Sequence, residues 1–124
     1  MNNAALALST YGDVATPARS ERDVEYQAFA RVTSNLEAVN GRETENFAKT
    51  VDALYLNRRL WTILATDIAH DNNALEDKMK VQLVSLSIFV IKYSSTALRE
   101  KSSVKPLIEI NKTIMRGLRS AGGK

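Results

Sequence analysis

Apolar residues recur at steps of three and four along most of the chain, the period of a helix with one buried face. In the first such stretch Ala28, Phe29, Val32, Leu36 and Val39 share a side. Thr16-Pro17 supplies a start, with Thr16 as N-cap and Pro17 in the first turn, and Asn40-Gly41 supplies a left-handed stop. This spacing predicts a helix near 17–39. A second is predicted near 43–70, where Phe47, Val51, Leu54, Trp61, Ala65 and Ile68 form one stripe. Leu56, Leu60, Ile63 and Leu64 project the other way, so this helix needs cover on two sides. Asp71-Asn72-Asn73 breaks the pattern, and Asn73 with Glu76 three residues on has the form of a capping box opening a third helix near 74–99.

The third helix carries two ridges. Leu75, Met79, Leu83, Leu86, Val90 and Tyr93 form the principal one, with Leu83 and Leu86 as expected core residues; Val81, Val84, Ile88 and Ile91 form the second. Ser85 and Ser87 lie between them, small enough for another backbone to come close. Pro106 suits the first turn of a fourth helix near 104–118, lined by Leu107, Ile110, Ile114 and Leu118. The expected fold is all-α, a single-domain bundle of about four helices over residues 16–119. Residues 1–15 form a loosely ordered arm and residues 120–124 a frayed tail. The second and third helices are expected at the centre, because only they have two apolar faces. The second ridge is either covered by the first helix or left open.

Composition agrees with one helical domain: 124 residues, 44% apolar and 25% charged, with only 5 Gly and 2 Pro. The absence of cysteine removes disulfides, thiolate metal sites and cysteine nucleophiles. The lone histidine, His70, stands at a predicted helix end, where a cap is the simpler role. The acidic pairs Glu43/Glu45 and Glu76/Asp77 each fall in a predicted first turn, where carboxylates suit the exposed N–H groups. No Gly-rich phosphate loop or zinc-protease motif occurs. These features point away from an enzyme, and no cofactor or metal is expected.

The densest apolar run, Val81–Ile91, is too short to span a bilayer, which needs about 20 residues. Residues 1–18 hold no Lys or Arg, unlike a secretory signal, so the expected location is cytoplasmic, without membrane insertion. Charge is uneven: residues 1–56 carry 5 basic and 8 acidic side chains, residues 57–124 carry 12 and 6. The basic third (Lys92, Arg99, Lys101, Lys105, Lys112, Arg116 and Arg119) has no aromatic stacking platform, so nucleic acid is a minor expectation.

Polar residues within the apolar arcs of the second helix are more informative. Asn57 and Asp67 project into the arc and Arg58 lies among Leu54, Trp61 and Ala65. Buried polar groups must be paired or sit at a groove lip. The two readings are an internal network that fixes helix register and a partner site containing Arg58, Trp61 and Asp67.

The block Asn57-Arg58-Arg59-Leu60-Trp61-Thr62-Ile63-Leu64, then Asp67-Ile68-Ala69 and Asn73-Ala74-Leu75, resembles the FlaF family of α-proteobacterial flagellar regulators. The run Val81–Val90 is similar to that family's third helix, and Leu107-Ile108-Glu109-Ile110-Asn111 with Ile114 and Gly117-Leu118 to its closing helix. Two positions depart: Glu76 stands where the family usually has proline, and Phe89 where it often has tryptophan. The resemblance implies a small cytoplasmic protein required for flagellin production, acting with flagellin and balancing the regulator FlbT, which acts on flagellin mRNA.

Residues and resemblance together give a non-enzymatic chaperone and regulator that takes an amphipathic terminal helix of unpolymerised flagellin into a groove. Val81, Val84, Ile88 and Ile91 are its candidate contacts, with Arg58, Trp61 and Asp67. The alternative is a post-transcriptional regulator that contacts flagellin mRNA, or an RNA-binding partner, through the basic C-terminal third.

Overall fold

The computed structural model of the chain describes residues 21–70 and 76–122. They form four α-helices: α1 (Glu21–Val39), α2 (Phe47–Ile68), α3 (Asp77–Glu100) and α4 (Lys105–Gly122). No strand occurs among the described residues. The expected arm, the Thr16-Pro17 start and the Asp71-Asn72-Asn73 loop lie outside them.

The stripe of α1 is buried throughout: Ala28, Phe29, Val32, Leu36 and Val39 are all sealed from solvent. The helix stops at Gly41, whose φ of +84° is the left-handed conformation that glycine adopts without a Cβ penalty. Leu54, Leu60, Trp61 and Ile68 of α2 are also buried, and the Trp61 ring meets Phe29 edge to face, centroids 5.6 Å apart at 83°. From α4, Val104 at its start, Leu107 and Ile108 complete this core. Helix α4 runs antiparallel to α1, since Thr33 approaches Met115 and Glu37 pairs with Lys112 one turn further along.

Helix α1 packs against α4 and α2, whereas α3 has α2 as its principal neighbour. The central pair is therefore α1 and α2, not α2 and α3 as two-faced hydrophobicity suggests. The reason is visible in what α3 buries. Its sealed residues are Ser87, Val90, Ser94 and Ala97, a stripe of small side chains, while Leu83 and Leu86 are only half-buried. The serine hydroxyls donate within their own helix, Ser87 to the Leu83 carbonyl (2.8 Å) and Ser94 to the Val90 carbonyl (2.7 Å). Satisfied in this way, they are buried without cross-helix partners, and their small volume lets α3 approach α2 closely.

Three boundaries differ from the pattern. Helix α2 begins at Phe47, so Glu43 and Glu45 precede it and are not in its first turn. Helix α3 begins at Asp77 with Glu76 as N-cap residue, and no side-chain cap bond forms there, so Glu76 is not the third residue of a capping box. Helix α4 continues through Gly117 to Gly122, past the expected end at 118. Nothing crowds Gly117, and its helical neighbours carry it.

The loops at one end are clasped together. The Glu43 carboxylate accepts the Val104 N–H at 3.1 Å and so caps α4 from the α1–α2 connection. The Tyr93 hydroxyl donates to the Ser103 carbonyl at 2.6 Å, and the Lys101 ammonium stands 5.4 Å from the centroid of the Phe47 ring. Lys101 itself closes α3 in the left-handed conformation, φ +54°.

Candidate partner-binding surface

The seven residues singled out from the sequence separate into two sets. Trp61 is fully buried, at 0% exposure, and Asp67 is buried near the end of α2; Arg58, expected within the apolar arc, is exposed. The apolar wheel is open on the side of Arg58, so this residue lies outside the buried arc. Val81, Val84, Ile88 and Ile91 do come together along one flank of α3.

Trp61 opens a buried hydrogen-bonded chain through Asn111 to Asn57. The Trp61 indole Nε1–H donates to Asn111 Oδ1 (2.9 Å), and Asn111 Nδ2 donates to Asn57 Oδ1 (2.7 Å). An indole is a donor only, so it fixes which way the Asn111 amide points, and that amide in turn fixes Asn57. The chain ends on Asn57 Nδ2, which is buried with no partner among the described residues. Asn57 thus takes the internal role of the two that its position allowed, tying α2 to α4. The signal that locates its partner is Asn111, a lone amide beside the apolar residues Leu107, Ile108 and Ile114.

The outward set is apolar and open. Val81 is 66% exposed and Ile88 49%, with Val84 and Ile91 half-buried beside them. Among the described residues the second ridge is open, and α1 packs on α2 and α4 instead. Sequence periodicity did not single out the opposite flank, where Phe89 is 47% exposed and Met79, placed on the core ridge by its spacing, is 45% exposed. Phe89 stands three residues after Leu86 and four before Tyr93, in step with the principal ridge, so its spacing does not reveal that it faces outward. Its ring stacks on Tyr93 one turn on, centroids 5.8 Å apart. Surface of this extent on one helix is what partner sites are made of.

An 18-residue stretch within α3 is apolar enough to cross a membrane by length and composition, with a mean hydropathy of 1.4 and 22% of it buried. The Val81–Ile91 run fails the same measure because it omits the Tyr, Ser, Thr, Ala and Leu residues beyond Lys92, whose mild hydropathy lengthens the segment.

Electrostatics concentrate elsewhere. Burial pushes the Glu43 carboxyl up, but the N–H groups of Val104, Glu43 and Gly41 outweigh it and hold the group below its ordinary 4.5. Burial, then the Glu43 charge, raises Tyr93. The His70 Nδ1–H donates to the Thr66 carbonyl at 2.8 Å, a bond to the last turn of α2. No group of three or more His, Cys, Asp or Glu side chains able to hold a metal occurs among the described residues.

No curated protein and no solved structure matches the chain. A family model described as flagellar protein FlaF matches residues 7–118, which takes in all three sequence blocks, the buried Trp61–Asn111–Asn57 chain and the whole of α3. The chain belongs to the FlaF family of flagellar proteins.

Proposed function

We propose that this protein is a cytoplasmic flagellin-binding chaperone and regulator, and that α3 is the helix on which an amphipathic terminal helix of unpolymerised flagellin docks. The observation that carries this reading is the open Val81–Val84–Ile88–Ile91 flank, apolar at i, i+3, i+7 and i+10, on a helix held to the bundle from one side only. Membership of a flagellar protein family supports flagellin as the occupant. Such a protein keeps a polymerisation-competent helix covered until assembly, and by titrating flagellin it can act in balance with FlbT. Binding here needs no chemistry beyond burial of apolar area on both partners.

The test is capture of purified monomeric flagellin by wild type and by a V84S/I88S variant. We expect capture to be lost while the thermal midpoint moves by no more than about 2–4 °C, since these side chains are half-buried or exposed. Capture that falls only in proportion to a large loss of stability assigns the ridge to the core and overturns the reading.

Flagellin mRNA remains the second reading, because Lys105, Lys112 and Arg116 are exposed on α4. Two are already engaged: Lys112 with Glu37 at 2.8 Å and Arg116 with Thr113 at 3.2 Å. RNA held by 6–10 phosphate contacts weakens roughly a thousandfold or more between 50 and 200 mM salt, and burial of an apolar helix does not.

A further inference from the structure

We infer that the occupant of the α3 flank is an amphipathic helix whose apolar stripe is bordered by carboxylates, read by Lys78 and Lys92; this rests on the reading of α3 as the docking helix. From Lys78 to Arg99 the helix carries Lys78, Lys80, Lys92 and Arg99 and not one acidic residue. Arg99 has Glu100 at 3.8 Å, but no carboxylate lies within ion-pair reach of Lys78, Lys80 or Lys92 among the described residues.

Lys78 and Lys92 are exposed and stand four turns apart, roughly 21 Å at 1.5 Å per residue, on nearly the same bearing. On a helical wheel this line falls between the Val81/Ile88 flank and Phe89. A helix seated on Val81, Val84, Ile88 and Ile91 therefore has both ammonium groups along one border. A partner with an uncharged or basic border would crowd and partly desolvate two unpaired cations, which is unfavourable. Carboxylates at that border meet them, and the lysine stems lie along the apolar surface.

An anionic lipid surface has the same charge but the wrong shape. A helix that lies in a membrane interface keeps its charges on the side away from one wide apolar face. Here the lysine line divides the apolar surface into two flanks, which suits a rod laid along one of them.

The experiment uses the full chain and two synthetic amphipathic peptides with the same leucine stripe, one bordered by Glu and one by Lys, with binding read by fluorescence anisotropy. We expect the Glu-bordered peptide to bind about tenfold or more tightly, and K78E/K92E to reverse that order with an unchanged thermal midpoint. Equal affinities, or an order that K78E/K92E leaves unaltered, overturn the inference. Capture on phosphatidylglycerol vesicles, lost in K78E/K92E, with neither peptide bound, also overturns it. Flagellin separates the two levels of the argument. If capture is lost in V84S/I88S but equal to wild type in K78E/K92E, the charge inference fails and docking on α3 stands. If V84S/I88S captures flagellin as wild type does, docking on α3 fails.

Discussion

Trp61 and Ile88 are large apolar residues on helices that touch, yet Trp61 is sealed among Phe29 and the amides of α2 and α4 while Ile88 is half in solvent. The two regions they stand for are built differently. Around Trp61, α1, α2 and α4 interlock through bulky side chains and a directional polar chain. Helix α3 seals only Ser87, Val90, Ser94 and Ala97, packs Leu86, Tyr93 and Leu98 half-buried against the core, and leaves Val81, Ile88 and Phe89 exposed. Small residues give a close fit but little area, so the first region holds the fold and the second presents a surface.

This contrast is easiest to break at the extremes. Trp61→Ala should cost about 3–5 kcal/mol in urea unfolding, against less than about 0.5 kcal/mol for Ile88→Ser. Similar values for both would mean that α3 is core after all. Leu83→Ala and Leu86→Ala, expected from spacing alone to cost about 2–5 kcal/mol, should fall near or below the bottom of that range because both side chains are half-buried.

Next in size is Asn111→Leu, which strands the Trp61 N–H and the Asn57 carbonyl oxygen and should cost about 2–4 kcal/mol. An unchanged denaturation midpoint would show that the amide chain does not fasten α4. Glu43→Ala should cost about 1 kcal/mol through the lost cap on Val104. The Glu43 carboxyl is held below its ordinary 4.5, so its contribution is complete above that value and disappears as the pH falls through the lower folded-state value. The stability difference between wild type and Glu43→Ala should therefore shrink on acidification below about pH 4.5; a difference flat from pH 7 to 3 would remove the charged cap. The smallest effect is a gain: Gly117→Ala should stabilise by about 0.5–1 kcal/mol, because the site is helical and open. A loss there would reveal packing at α4 that its exposure denies.

The sequence pattern foretold α1 well, because its stripe is made of large residues and its stop is a glycine that needs positive φ. It also set Val81, Val84, Ile88 and Ile91 on one flank of α3, without deciding whether α1 covers them. It ranked the faces of α3 wrongly, because periodicity weighs Leu and Ile above Ser and Ala, and the stripe sealed against the bundle is the small one. The loop clasp and the amide chain were out of reach for another reason. Glu43 finds Val104 across 61 positions and Asn57 finds Asn111 across 54, so neither bond leaves a local trace. Two lone amides on two apolar helices are the only hint.

Trp61 is the sole tryptophan of the chain, and it sits wholly on one side of the divide described above. Its fluorescence is thus a private gauge of the α1–α2–α4 core. If α3 frays, the emission maximum should stay in the blue while far-ultraviolet circular dichroism registers the change. A melt followed by both signals should show the dichroism moving first, and the interval between the two curves measures how loosely α3 is moored.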